Sequence, residues 1–428
     1  MALASSATVN AKAFKSGSNP SSIASASFTN TGTGKTTYYV AKTGSNSNSC
    51  AQAQNPSTPK LTFGAGLQCM MGGDRLEIKQ GTYEEDLYSA GILPPSGTLN
   101  NRTVIATFGN DTVTFTNKSS LNWYSGNFSY VDFIGGCSSG INRSCKLVWD
   151  GTGTIMVNGT MTKQIAGSDI SFNSATSAQH IRFDGVRVTN WGGVGVFPGS
   201  NNTWRNCRVD HNGWDNNTNA AQRLPGYAFY IGGSDLLLEN CEIDNNGGSG
   251  IQQYTSSGAS SANIYRYNIF HDNGRTPSSA QQADGLIIGA QCTATKVYGN
   301  LFYGIGHQNG IRVDYGCTGT AVYNNTVHGT SLAGIAIESR AASTVVRNNI
   351  VYGNGLPGIT NNGIGTSLSN NITTDPKFVS TSNNDFHLQS GSPAVNAGAT
   401  LAEVLFDIDG TPRPSGSAYD IGAYEYRQ

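Results

Sequence analysis

Between residues 180 and 360 the hydrophobic positions come in short alternating runs, never in a sustained 3.6-residue rhythm. Alternation of that kind predicts strands with one face turned inward. The runs GIQQY (from Gly250), DGLII (with Gly285), NGIRVD (with Gly310) and AGIAIE (with Gly334) are versions of one phrase. Each is preceded by a Gly-rich corner and a second strand introduced by Asn: Asn206, Asn240, Asn268, Asn300, Asn325 and Asn349. A phrase that recurs every twenty-odd residues is one supersecondary unit stacked on copies of itself. Because each unit holds a few short strands and tight corners, the predicted fold is all-β, a right-handed parallel β-helix (solenoid). The recurring Asn predicts a corner ladder of stacked amides.

The pattern changes at both ends. Residues 1–36 are rich in Ser, Ala, Thr and Asn without an apolar centre, and read as a flexible arm. From TYYVA (37–41) the solenoid begins, running to residue 372, and the segment TPKLTFGAGLQCMMGGDRLEIKQGTYEEDL reads as a short helix capping the open first coil, a Gly-Asp turn and a strand. RTVIATF, DTVTFTN and KLVWDG continue the strands. Residues 373–428 break the repeat and predict a separate C-terminal segment packed on the last coil or back along the helix.

Composition sharpens this reading. The 428 residues include 54 Gly, as tight corners require, and only 12% are charged. A net charge of −1 offers no footprint for nucleic acid, and no apolar run has the length of a membrane span. The eight Cys fall into neighbouring pairs. Disulfides are predicted at 50–69, 137–145 and 292–317, implying a secreted, extracellular protein. Cys207 and Cys241 read either as a bridge or as stacked core thiols.

The repeat also places candidate chemistry. On NGIRVD, inward Ile311 and Val313 leave Arg312 and Asp314 outward. Glu338 falls beside Asp314 one coil on, Tyr254 takes the same column on an earlier coil, Asp284 opens the preceding coil's strand, and His307 lies in the corner before NGIRVD. Trp214 and Arg223 on one long corner, and Arg275 on another, are further candidates for binding a polysaccharide. Three chemistries suit this set. Arg312 would neutralise a uronate while His307, or a Lys or Tyr nearby, removes the adjacent proton, giving β-elimination. Alternatively, Asp314 and Glu338 would be the paired carboxylates of a glycoside hydrolase. Asp284, Asp314 and Glu338 would supply oxygen ligands for calcium. Against all three stands a plain solvated Arg bridging two carboxylates. A further alternative is a non-catalytic structural, adhesin or filament protein that self-associates through its N-terminal arm. Asp210, Asp244, His271 and Asp272 read as turn formers.

The entry segment (YYVAKTGSNSNS…GDRLEIKQGTY) and the tail (DPKF…FHLQSGSPAVNAG…DIDGTPRP…DIGAYE) resemble the pectate-lyase-like superfamily of secreted right-handed β-helix proteins. That superfamily holds lyases, hydrolases, epimerases and binding proteins. A narrower resemblance is to the ninth family of polysaccharide lyases, whose Ala-Asp-Gly strand matches Ala283, Asp284 and Gly285. The family's following Asp-Asp-Gly-x-Asp strand reads here as Gln308, Asn309, Gly310, Ile311 and Arg312, and Ala336 replaces its Lys base. The resemblance therefore implies the scaffold without the family's calcium and Lys residues.

Overall fold

The computed structural model describes residues 35–85, 91–116, 128–151, 178–191, 193–213, 226–254, 260–275 and 282–427, with the backbone of strand segments at 7–11, 24–28, 156–157, 160–161 and 170–171. Each full coil gives one short strand to each of three parallel sheets, of twelve, ten and eight strands. One coil, for example, supplies Lys296–Tyr298, Leu301–Tyr303 and Ile311–Val313. The centre of each three-residue strand in the first two sheets points inward, as in Val297–Val322–Val346 and Phe302–Val327–Val351. In the eight-stranded sheet the two ends point inward instead, so Ile311 stacks on Ile335 and Val313 on Ile337. All of these are fully buried. Equivalent residues stand one strand spacing apart, about 4.8 Å, which lets aromatic rings pile along the axis. Phe133 stacks on Phe183 at 4.8 Å and Phe183 on Trp204 at 4.0 Å.

The corner between the twelve- and ten-stranded sheets carries the predicted Asn ladder, with one correction. Asn268, Asn300, Asn325, Asn349 and Asn371 form it: from Asn300 on, each Oδ1 accepts the backbone N–H and side-chain amide of the Asn one coil earlier, at 2.9–3.0 Å, and Asn268 Oδ1 accepts from Cys241 N. Those rungs satisfy buried polar groups that would otherwise be left without partners. Asn206 and Asn240 stand one position earlier, in left-handed conformation (φ 53° and 51°), where later coils have Tyr267, Gly299, Asn324 and Asn348. Their ladder places are taken by Cys207 and Cys241, which form a disulfide. The other three predicted bridges are present, and no cysteine is free.

The first end of the solenoid is closed by the predicted helix, Phe63–Leu67. Thr62 caps it through Ala65 N, while the Glu85 carboxylate accepts from Phe63 N and Gly64 N, the donors a helix start leaves open. In the N-terminal arm, Ala7–Ala11 pairs antiparallel with Ala24–Phe28. The C-terminal segment runs back along the helix. Phe378, Phe386, Leu388, Ile421 and Tyr424 cover Ile269, Leu301, Tyr303 and Ile350 on the outer face of the ten-stranded sheet. Corner residues Asn324 and Asn348 donate to Asp420 O and Ala399 O and fix it there. Among the described residues no helix is long and apolar enough to cross a membrane.

Candidate functional site

Two outer faces of the solenoid carry charge. On the ten-stranded sheet, register puts Arg187, Arg208 and Glu242 in one outward column and Asp210, Asp244 and His271 in the next. Asp210, Asp244 and His271 therefore end strands and are not turn formers; Asp272, at φ 52°, is the corner residue. Asp210, Glu242 and Asp244 have no exposed surface. Arg208 holds Asp244 through two hydrogen bonds of 2.8 and 2.9 Å and approaches Glu242 at 3.3 Å, while Arg187 takes Asp210. The disulfide loop 137–145 closes over this network, its Asn142 and Arg143 N–H groups donating to Glu242.

His271 bonds Asp272 at 2.9 Å and Glu242 at 3.1 Å, and stacks on Tyr303. Burial alone would lower its pKa, but these two carboxylates outweigh burial and raise it to about 9. Ligand atoms of Glu242, Asp244 and His271 lie within 4.8 Å of one another, close enough to hold a metal ion. Here the two carboxylates are engaged by Arg208 and the imidazole is held in its cationic form, a poor donor set for a cation.

The eight-stranded sheet differs. Its outward column reads Tyr230, Gln252, Ile287, Arg312, Ala336 and Thr360. Arg312 is one strand before Ala336, and its guanidinium reaches back to Asp284 at 3.3 Å. The approach is not aligned as a hydrogen bond, so Arg312 Nε and Nη2, Asp284 Oδ2 and Gln252 Oε1 are buried without a hydrogen-bond partner among the described residues. Asp284 Oδ1 accepts the backbone and side-chain N–H groups of Asn309, and Asp284 N donates to Ser249 Oγ, making a second corner ladder. Burial pushes the Asp284 carboxyl above the usual range, with Arg312 and Asn309 only partly offsetting it.

Aromatic rings line the same face. Phe197–Tyr230, Tyr230–Tyr254 and Tyr254–Tyr315 have centroids 5.4, 6.5 and 5.8 Å apart. Tyr315 lies over Gly289, where an added Cβ would come within 2.7 Å of the ring. Tyr227 Oη donates to Gln282 Oε1, and Gln282 Nε2 donates to Tyr315 Oη at 3.2 Å, linking the two ends of the strands.

The predicted site residues divide along the strand. Asp284, His307 and Arg312 lie at or before its start and centre; Tyr254, Asp314 and Glu338 follow its end. Asp314 and Glu338 are consecutive in one column, each donating its N–H one coil back. The expected convergence of all five charged groups on one patch is thus corrected. Asp284 is equivalent to Asn309, five residues before Asp314, and five strand residues span roughly 16 Å. Asp284, Asp314 and Glu338 accordingly do not form a group of metal-ligating atoms, and the predicted calcium set does not fit. Both Asp314 oxygens are taken by Arg340, at 2.9 and 3.2 Å, and Arg340 also stacks on Tyr315. His307 is exposed on its corner. Arg275 turns back onto Asp272 at 3.3 Å, away from the face. Trp214 and Arg223 lie outside the described residues.

Sequence reasoning missed Gln252, Tyr230 and Tyr315. Gln252 and Tyr230 share the Arg312 column, which the repeat could have supplied; Tyr315 joins them only through the Gly289 gap.

The sequence matches the family described as right handed beta helix region over residues 216–379. The structure is similar to that of the pectate lyase Pel9A, with a TM-score of 0.53 at 17% identity, over 91% of this chain and 96% of that one. It is also similar to a rhamnogalacturonan lyase, with a TM-score of 0.53 at 16% identity, over 89% and 99% of the two chains. No curated protein matches. The fold is a pectate-lyase-like, right-handed parallel β-helix.

Proposed function

We propose that this protein is a secreted, carbohydrate-active β-helix that cleaves a uronate-containing acidic polysaccharide by β-elimination. The observation that carries the reading is the set of unmet buried hydrogen-bonding atoms around Arg312 on the eight-stranded face. A guanidinium whose shielded nitrogens approach Asp284 at 3.3 Å without making a hydrogen bond costs stability unless a ligand completes it, and a planar carboxylate is its natural complement. The aromatic row alongside offers apolar ring faces to the sugars. Since both features run from coil to coil, the glycan lies along the helix axis. The two similar structures bear the names pectate lyase and rhamnogalacturonan lyase. Four disulfides support an extracytoplasmic setting.

In the reaction, Arg312 neutralises the uronate carboxylate and so acidifies the carbon-bound proton beside it. A base on the same face accepts that proton, and His307, exposed on the corner that leads into this strand, is the candidate the sequence offers. The electron pair forms a carbon–carbon double bond and the glycosidic oxygen leaves with the other chain fragment. Hydrolysis by Asp314 and Glu338 is the weaker reading, because Arg340 already occupies both Asp314 oxygens. A panel of acidic glycans tests the proposal. Elimination yields unsaturated ends that absorb in the ultraviolet and are absent with Arg312→Ala. Reducing ends without that absorbance, lost with Asp314→Asn, would overturn it in favour of hydrolysis.

A further inference from the structure

The two ends of the solenoid are unlike. The first is closed by the Phe63–Leu67 helix, and the charged groups beside it are spent inside the chain: Lys60 donates to Asn46 O, Asp74 accepts from Thr36 N and Met71 N, and Glu85 caps the helix. At the other, Ile359–Asn361 and Ser367–Ser369 are the terminal strands of their sheets, each paired on one side. Leu368 continues the inward column Val297, Val322 and Val346, all fully buried, yet is itself 46% exposed. Ile364 and Leu356 are 68% and 48% exposed on the same coil. The C-terminal segment does not cover them, because it is committed to the outer faces of the ten- and twelve-stranded sheets.

Exposed strand edges are normally guarded by charge. Here the sequence has no charged residue between Arg347 and Asp375. We propose that this end is an interface for a second copy of the chain, joined tail to tail about a two-fold axis. An end without charge meets its own copy without like-charge repulsion, and a strand edge can pair with itself when antiparallel. Head-to-tail stacking is disfavoured because the helix-capped first end presents no matching open coil. The contact therefore closes at two copies and builds no filament. It uses the end of the solenoid, whereas the proposed sugar contacts lie along its side around Arg312.

Sedimentation velocity on the full chain, over a range of micromolar concentrations, tests this directly. The expected result is a concentration-dependent species of twice the monomer mass. Leu368→Lys and Ile364→Lys should abolish it while leaving far-ultraviolet circular dichroism unchanged, since both side chains are already solvent-facing. Amide exchange at 359–361 and 367–369 should slow as concentration rises. A wild-type monomer throughout, species larger than two, or a dimer that persists in both variants would each overturn the proposal. So would protection of those amides independent of concentration, which would signal a cover supplied by the chain itself.

Discussion

The outer faces of the ten- and eight-stranded sheets both gather Arg and carboxylates, yet they meet opposite fates. On the ten-stranded face the charges are complete: Arg208 engages both Asp244 and Glu242, His271 adds a bond to Glu242, and the 137–145 loop seals them. On the eight-stranded face Arg312, Asp284 and Gln252 keep unmet atoms. Charge density does not distinguish a binding site from a structural ion network. What distinguishes them is whether the protein itself finishes the hydrogen bonding.

Breaking the complete face should cost the most stability. Arg208→Ala leaves the buried Asp244 without its guanidinium and removes one partner of the buried Glu242, and is expected to destabilise the fold by roughly 3–5 kcal/mol, measured by denaturant unfolding. If the cost is that of a surface residue, the network is not the lock described here. The same face has a pH signature. The folded-state pKa of His271, about 9, stands above its ordinary 6.5. Its contribution is full below about pH 6.5 and fades as pH rises through 9; it amounts to roughly 3 kcal/mol. Melting temperature should fall over that window in the wild type and show a flatter profile in His271→Gln. The smallest effect belongs to the open face. Tyr254→Ala should weaken glycan binding about fivefold, the scale of one stacking contact, with stability unchanged.

Much of this was legible in the chain. Alternating runs and their period revealed the solenoid and the outward placement of Arg312; a capping helix was legible before the first full coil, and the structure sets its bounds at Phe63–Leu67. Register errors arose where neighbours of one residue type compete. In NCRVD and NCEID the Asn precedes the ladder by one position, because Cys207 and Cys241 fill it with a bridge. The site was legible as a column and illegible across it. Asp284 and Asp314 lie close in repeat position, but they flank opposite ends of a strand. Asp210, Asp244 and His271 look like corner residues until the covering loop, distant in sequence, turns them into a buried network.

The central claim is that Arg312 is an unfinished site which an acidic sugar completes. Its most direct test is equilibrium binding of a uronate oligosaccharide, by calorimetry, to the wild type and to Arg312→Lys, which keeps the charge but loses the planar fork. The account predicts binding to the wild type that weakens at least tenfold in the variant, at equal thermal stability. Equal affinity in both proteins, or no affinity in either, would contradict it.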